Sequence, residues 1–232
     1  TTMPELLVSV MASLEGKNDM AVGNAVGSVT ANTGLIMGIA IVFMTIVTPR
    51  VSYLKQCIIL VVAGAILYIG SLSGTLAPWA GTVLIIVFII FMVINVLSAK
   101  SQKNADEKLI VTKNDIIKNI VLFVVGAAGI VLGSNFLIDG GSAIATALGV
   151  PERVIAVTMV AIGTSLPELV TTITAIRKKE SSLSVGNIIG ANIIDLSLIL
   201  PICTFVSSGT FAVSEQCLNI DLPASIIICL IA

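Results

Sequence analysis

Apolar runs separated by short polar turns divide the chain into eight segments. The first, Thr1–Leu14, is half a membrane span and ends in the polar turn Glu15-Gly16-Lys17-Asn18-Asp19. A long second segment runs from Met20 to Val47 and closes at Thr48-Pro49-Arg50, because proline and the residue before it disfavour helix. The third covers Ser52–Leu72, the turn Ser73-Gly74-Thr75 follows, and the fourth covers Pro78–Ser98. After a hydrophilic stretch from Lys100 to Lys113, the fifth covers Asp115–Leu148 and stops at Gly149-Val150-Pro151. The sixth covers Glu152–Ile176 and stops at Arg177-Lys178-Lys179, the seventh covers Leu183–Val206, and the eighth starts near Leu222. Several runs reach the roughly 20 residues that a membrane-spanning helix needs. None alternates with the period of two that a barrel strand would show. The pattern predicts an all-α polytopic membrane protein whose main partner is the lipid bilayer.

Composition agrees. The chain has 232 residues, 56% hydrophobic and 11% charged, with a mean hydropathy of +1.11, whereas a soluble domain carries about 25% charged residues. No basic tract suggests nucleic acid, and the net charge of −1 selects no partner. Histidine is absent, and Cys57, Cys203, Cys217 and Cys229 lack metal-ligand or redox spacing. The sequence opens without Met and ends at Ala232 inside an apolar run, which predicts a piece of a longer protein.

The hydrophilic stretch divides the chain into 1–98, a loop 99–114, and 115–232. With that loop on the cytoplasmic side, alternate turns put ten basic residues inside and two, Lys17 and Arg153, outside, as the positive-inside rule requires. This suits a plasma membrane or a bacterial or archaeal cell membrane. It also makes the first and sixth segments run in opposite directions.

Those two segments are related in sequence. Residues 1–36 align without gaps on 164–199, with identities at Thr1/Thr164, Pro4/Pro167, Glu5/Glu168, Gly23/Gly186, Asn24/Asn187 and Gly27/Gly190. Shared hydrophobicity would match Leu, Ile and Val, not Pro, Glu, Gly and Asn. Combined with the opposed directions, this predicts an inverted-topology repeat, an architecture of secondary transporters.

Helical spacing then groups the polar residues. Thr164, Glu168 and Thr172 lie four apart and share a face, as do Thr1, Glu5 and Ser9. Asn24, Ser28 and Asn32 form a stripe in the next segment, matched by Asn187, Ala191 and Asp195. Gly23/Gly27 and Gly186/Gly190 are small-xxx-small pairs, which predict close helix approach. Pro167 cannot donate to the carbonyl four residues back, so the carbonyls at Ala161–Gly163 are expected to be freed as further oxygen ligands.

Ser165-x-x-Glu168 and Thr2-x-x-Glu5 also fit a capping box, in which the Glu only satisfies a helix start. At membrane depth ionisable residues mark function, so Glu5, Glu168 and Asp195 are read as ligands, and Asp139 and Asp221 as interfacial. Oxygen donors without Cys or His select hard cations, and flexible geometry with roughly 6–8 oxygens suits Ca²⁺. Na⁺ is the natural competitor, and a buried carboxylate can also take up H⁺. An empty ionised cluster is costly to enclose, which favours exchange over a channel. A hydrolase using Ser165 would lack a base, since no histidine exists and no lysine lies in the apolar part of its segment.

These motifs resemble the two α-repeats of the sodium/calcium exchanger family, within the cation/calcium antiporters. Thr1-Thr2-Met3-Pro4-Glu5 with Gly23-Asn24-x-x-Gly27-Ser28-x-x-x-Asn32 is similar to the first repeat. Thr164-Ser165-Leu166-Pro167-Glu168 with Gly186-Asn187-x-x-Gly190-x-Asn192-x-x-Asp195 is similar to the second. The resemblance implies ten helices in two inverted sets of five, of which this chain runs from midway through the second into the ninth. It implies no enzyme activity and no cofactor. It further implies a Ca²⁺ site built by Glu5 and Glu168, with Asn32 and Asp195 beside it. Na⁺ sites would use Thr1, Thr2, Ser28, Thr164, Ser165 and the Ala161 carbonyl. The long fifth segment would slide across the core to alternate access. Ala191 departs from the pattern, standing where the family has Ser. Asp195 and Pro201 resemble the potassium-dependent branch, so K⁺ stays open beside Na⁺ and H⁺ as coupling ion.

Overall fold

The computed structural model describes residues 2–43, 45, 50–102, 113–150, 158, 160–207 and 210–231. Thr1, the Thr48-Pro49 stop, most of the Lys-rich loop, Pro151 and Arg153 lie outside the described residues. The helices are α1 (Met3–Leu14), α2 (Asn18–Phe43), α3 (Arg50–Ser71), α4 (Pro78–Gln102), α5 (Lys113–Ala147), α6 (Ala161–Thr164), α7 (Leu166–Lys178), α8 (181–206) and α9 (Cys217–Ile231). Among the described residues the only β contact is an isolated bridge between Thr75 and Ala212. Four helices in that set are long and apolar enough to cross a membrane: Asn18–Phe43, Tyr53–Ser71, Pro78–Ser98 and Ser184–Val206. The molecule is an all-α, multi-pass membrane protein.

Three features depart from the reading of uninterrupted spans. The sixth segment is broken, since α6 ends at Thr164, Ser165 is a turn, and α7 starts at Leu166 with Pro167 in its first turn. Proline suits that position because its missing N–H would have no helical partner there. Second, α2 and α8 each contain a widened π-helical turn, Ala31–Ile36 and Asp195–Ile199, a feature that recurs at functional sites. Third, α9 starts before Leu222 with a π-helical turn at Cys217–Asp221. Asp221 is therefore inside a helix and lines a cleft of about 450 Å³ with Gly27, Ala31, Ala161 and Ile228. Asp139 likewise falls within α5 and not at a segment end.

The repeat is reproduced in the backbone at the same offset as in the sequence. Thr2 (φ −72°, ψ 8°) and Ser165 (φ −82°, ψ 2°) make the same bend before α1 and α7. At the other ends, Lys17 N–H bonds the Ala12 carbonyl at 2.8 Å and Glu180 N–H bonds the Ala175 carbonyl at 2.9 Å. The residues before them, Gly16 and Lys179, both take positive φ (74° and 60°), as a left-handed helix stop requires. The two π-helical turns also correspond.

In lipid, apolar area alone does not drive helices together, so close packing and polar links do. At the second glycine pair, Gly186/Gly190, the expected tight contact is absent. A methyl on Gly186 would meet nothing within 4 Å and one on Gly190 only Phe91 Cζ at 3.8 Å. A methyl on Gly70 would instead collide with the Ala80 methyl, and one on Gly64 would stand 3.1 Å from Ile226 Cγ1. These sites bring α3 against α4 and α9. At the centre α2 crosses α8; α1 lies on α2 and also meets α8, while α7 lies on α8 and also meets the π-helical turn of α2. The principal contacts of α5 are with α6 and α7, and its described side chains are mostly exposed, including Phe123 and Phe136.

Candidate ion-binding site

The crossing of α2 and α8 collects the polar stripes. Glu5, Ser9, Asn24, Ser28, Asn32, Glu168, Thr172, Asn192 and Asp195 are all fully buried, and Thr164 and Ser165 nearly so. Thr2 is half-buried at the bend, and Thr1 lies outside the described residues.

The capping-box alternative fails. Neither Thr2 nor Ser165 makes a side-chain cap hydrogen bond. Both carboxylate oxygens of Glu5 and both of Asp195 have no hydrogen-bond partner among the described residues. Unpartnered buried charges cost several kcal/mol each, and helix-end capping does not account for them. The three acids act on one another electrostatically: Glu168 and Asp195 on Glu5, and Glu168 on Asp195. They do not form a single three-acid cage, since no group of three Asp, Glu, His or Cys side chains among the described residues could hold one metal ion. Amide, hydroxyl and carbonyl oxygens must complete any coordination.

Those neutral groups are held in defined orientations. Asn24 Nδ2 donates to the Glu5 carbonyl at 3.3 Å and to Ser9 Oγ at 2.9 Å, which ties α2 to α1. Thr164 Oγ1 lies 3.0 Å from Asn24 Oδ1 and 3.3 Å from Ser28 Oγ, which links the two repeats. The matching second-repeat contact differs in detail. Asn187 Nδ2 donates to Thr171 Oγ1 at 3.0 Å, one residue from the Thr172 that corresponds to Ser9. Ala191, the counterpart of Ser28, is buried and brings no hydroxyl.

The Ala161 carbonyl differs from expectation. Ser165 N–H bonds it at 3.1 Å and Thr164 Oγ1 lies 3.2 Å away, because the helix breaks at Ser165, ahead of Pro167, and its last turn closes on itself. Ser165 Oγ has no hydrogen-bond partner among the described residues. The sequence marks Asn192 only as part of the second-repeat motif and gives no signal for Thr33. Asn32 Nδ2 donates to Asn192 Oδ1 at 3.0 Å, and Asn192 Nδ2 donates to Thr33 Oγ1 at 2.8 Å. Asn192 corresponds to Val29 in the first repeat, so the repeat alignment gave no signal for it.

A family model described as sodium/calcium exchanger protein matches residues 1–97 and 118–232. The chain belongs to the sodium/calcium exchanger family. An uncharacterised membrane protein of Methanocaldococcus jannaschii is 32% identical over 201 residues, covering 84% of this chain and 64% of its own length. This chain thus spans under two thirds of that relative. The sodium/calcium exchanger MaX1 of Methanosarcina acetivorans is 29% identical over 276 residues, covering all of this chain and 77% of its own length. Among solved structures, the sodium-calcium exchanger NCX_Mj soaked with Na⁺ and Sr²⁺ matches with a TM-score of 0.78 at 27% identity. That match covers 99% of this chain and 72% of the other.

Proposed function

We propose that this chain forms the ion-binding core of an antiporter that exchanges Ca²⁺ for Na⁺ across a membrane by alternating access. The observation that carries the reading is the set of fully buried carboxylate oxygens on Glu5 and Asp195 with no protein partner among the described residues. Hard, all-oxygen surroundings favour Ca²⁺ over softer metals. In this reading Glu5 and Glu168 hold Ca²⁺ at the centre, with Asn32 and Asp195 beside it. Na⁺ is held by Thr1, Thr2, Ser28, Thr164, Ser165 and the Ala161 carbonyl, which gives up its contact with the Thr164 hydroxyl to take the ion. Closing the site over bare carboxylates is costly. Movement therefore requires either Ca²⁺ or several Na⁺ aboard, and this couples the two fluxes. α5, whose contacts among the described residues are mainly with α6 and α7, is the element suited to slide.

Ala191 favours a second reading in which H⁺ or K⁺ replaces part of the Na⁺ requirement, because the Ser28–Thr164 hydroxyl pair has no counterpart there. Calorimetric titration of the purified full-length protein with Ca²⁺ separates the readings. Na⁺ is expected to displace Ca²⁺, and Ala191→Ser to raise Na⁺ affinity about tenfold, the worth of one hydrogen-bonding group facing a charge. Displacement by acid or by K⁺ with no effect of Na⁺ would overturn Na⁺ coupling.

A further inference from the structure

Asn32 is the one proposed Ca²⁺ ligand on α2 whose side chain has two unlike ends. Its amide can present either an oxygen, which binds a cation, or an NH₂ group, which repels one. In the structure the hydrogen bonds leave the oxygen end of Asn32 free. Asn32 Nδ2 donates to Asn192 Oδ1 at 3.0 Å, and Asn32 Oδ1 is buried with no partner among the described residues. Asn192 is oriented in turn, since its own Nδ2 donates to Thr33 Oγ1 at 2.8 Å and Thr33 Oγ1 is 3.7 Å from Cys229 Sγ; reversal would make Thr33 the donor and turn the Asn32 NH₂ group toward the cation. Asn192 is 0% exposed.

The other repeat supplies an internal control. Asp195 corresponds to Asn32, and a carboxylate offers oxygen in either orientation. The residue corresponding to Asn192 is Val29, fully buried and without any polar atom. Polar support is thus present on the side whose ligand needs orienting and absent on the side whose ligand does not.

We infer that Asn192 is a positioning residue that fixes the amide of Asn32 oxygen-first toward the bound Ca²⁺, with Thr33 holding Asn192 in turn. This rests on the proposed Ca²⁺ site, so Ca²⁺ binding to the unaltered protein is the reference measurement. Asn192→Val, the side chain already accepted at position 29, is expected to weaken Ca²⁺ binding about tenfold when Asn32 is present. In an Asn32→Asp background the same change is expected to alter Ca²⁺ affinity less than twofold, because a carboxylate needs no orienting. Thr33→Val is the gentler second variant, expected to weaken binding about threefold with Asn32 and hardly at all with Asp at position 32. Each constant is measured calorimetrically on the full-length protein, with thermal unfolding recorded alongside. Equal losses in both backgrounds would mean that Asn192 only packs the two repeats together, and would overturn the inference. If Asn192→Val does not fold, the Thr33→Val pair decides in the same way. Absence of Ca²⁺ binding by the unaltered protein would sink the proposed site itself, a distinct outcome.

Discussion

Glu168→Gln is expected to lower Ca²⁺ affinity by about two to three orders of magnitude and to abolish measurable Ca²⁺ transport. Glutamine keeps the size of the side chain and one oxygen but removes the charge. Glu168 is fully buried at the helix crossing and within electrostatic reach of Glu5 and Asp195, so the lost charge is felt undiluted by solvent. The protein should still insert and fold, because removing one of three mutually repelling acids relieves a cost that the ion-free state carries. Ca²⁺ should therefore raise the unfolding temperature of the unaltered protein and leave that of the variant unchanged, since only a ligand that binds the native state stabilises it. Glu5→Gln should behave alike, as the repeat requires. Near-normal flux with either variant would remove that residue from the site.

Gly70→Ala is expected to destabilise the helix bundle by about 1–3 kcal/mol. The new methyl would run into the Ala80 methyl at the point where α3 meets α4. That neighbour is short and close to the backbone, so the strain is relieved only by parting the helices. Gly186→Ala adds the same atom where nothing lies within 4 Å, and should be neutral or stabilising by up to about 1 kcal/mol through helix propensity. Thermal unfolding of both variants in one detergent tests the contrast. Equal stability would contradict the packing described for α3 and α4.

The contrast also shows where the sequence could be read. Most helices of the described residues were legible because apolar runs and their Gly and basic turns are local signals. The buried acids were legible because their cost in a membrane is independent of detail. The repeat was legible because Pro, Glu, Gly and Asn do not recur by shared hydrophobicity. The exact geometry was not. Small-xxx-small spacing marks Gly186 and Gly190, yet the close approaches occur at Gly64 and Gly70, because contact depends on the crossing helix and not on spacing within one. The break at Ser165 falls two residues before the proline that signals it. It therefore closes the Ala161 carbonyl with hydrogen bonds that spacing did not suggest. The π-helical turns carry no composition signal. Asn192 stood in the second-repeat motif, but its contact with Asn32, 160 residues away in the chain, was not legible there.

The central claim is coupling of Ca²⁺ movement to Na⁺ through this buried crossing. It is tested most directly by ⁴⁵Ca²⁺ uptake into vesicles holding the full-length protein, with Na⁺, K⁺ and pH gradients imposed one at a time. An outward Na⁺ gradient should drive Ca²⁺ inward, and the response should vanish with Glu168→Gln. Ca²⁺ uptake that ignores the Na⁺ gradient and follows pH or K⁺ instead would contradict it.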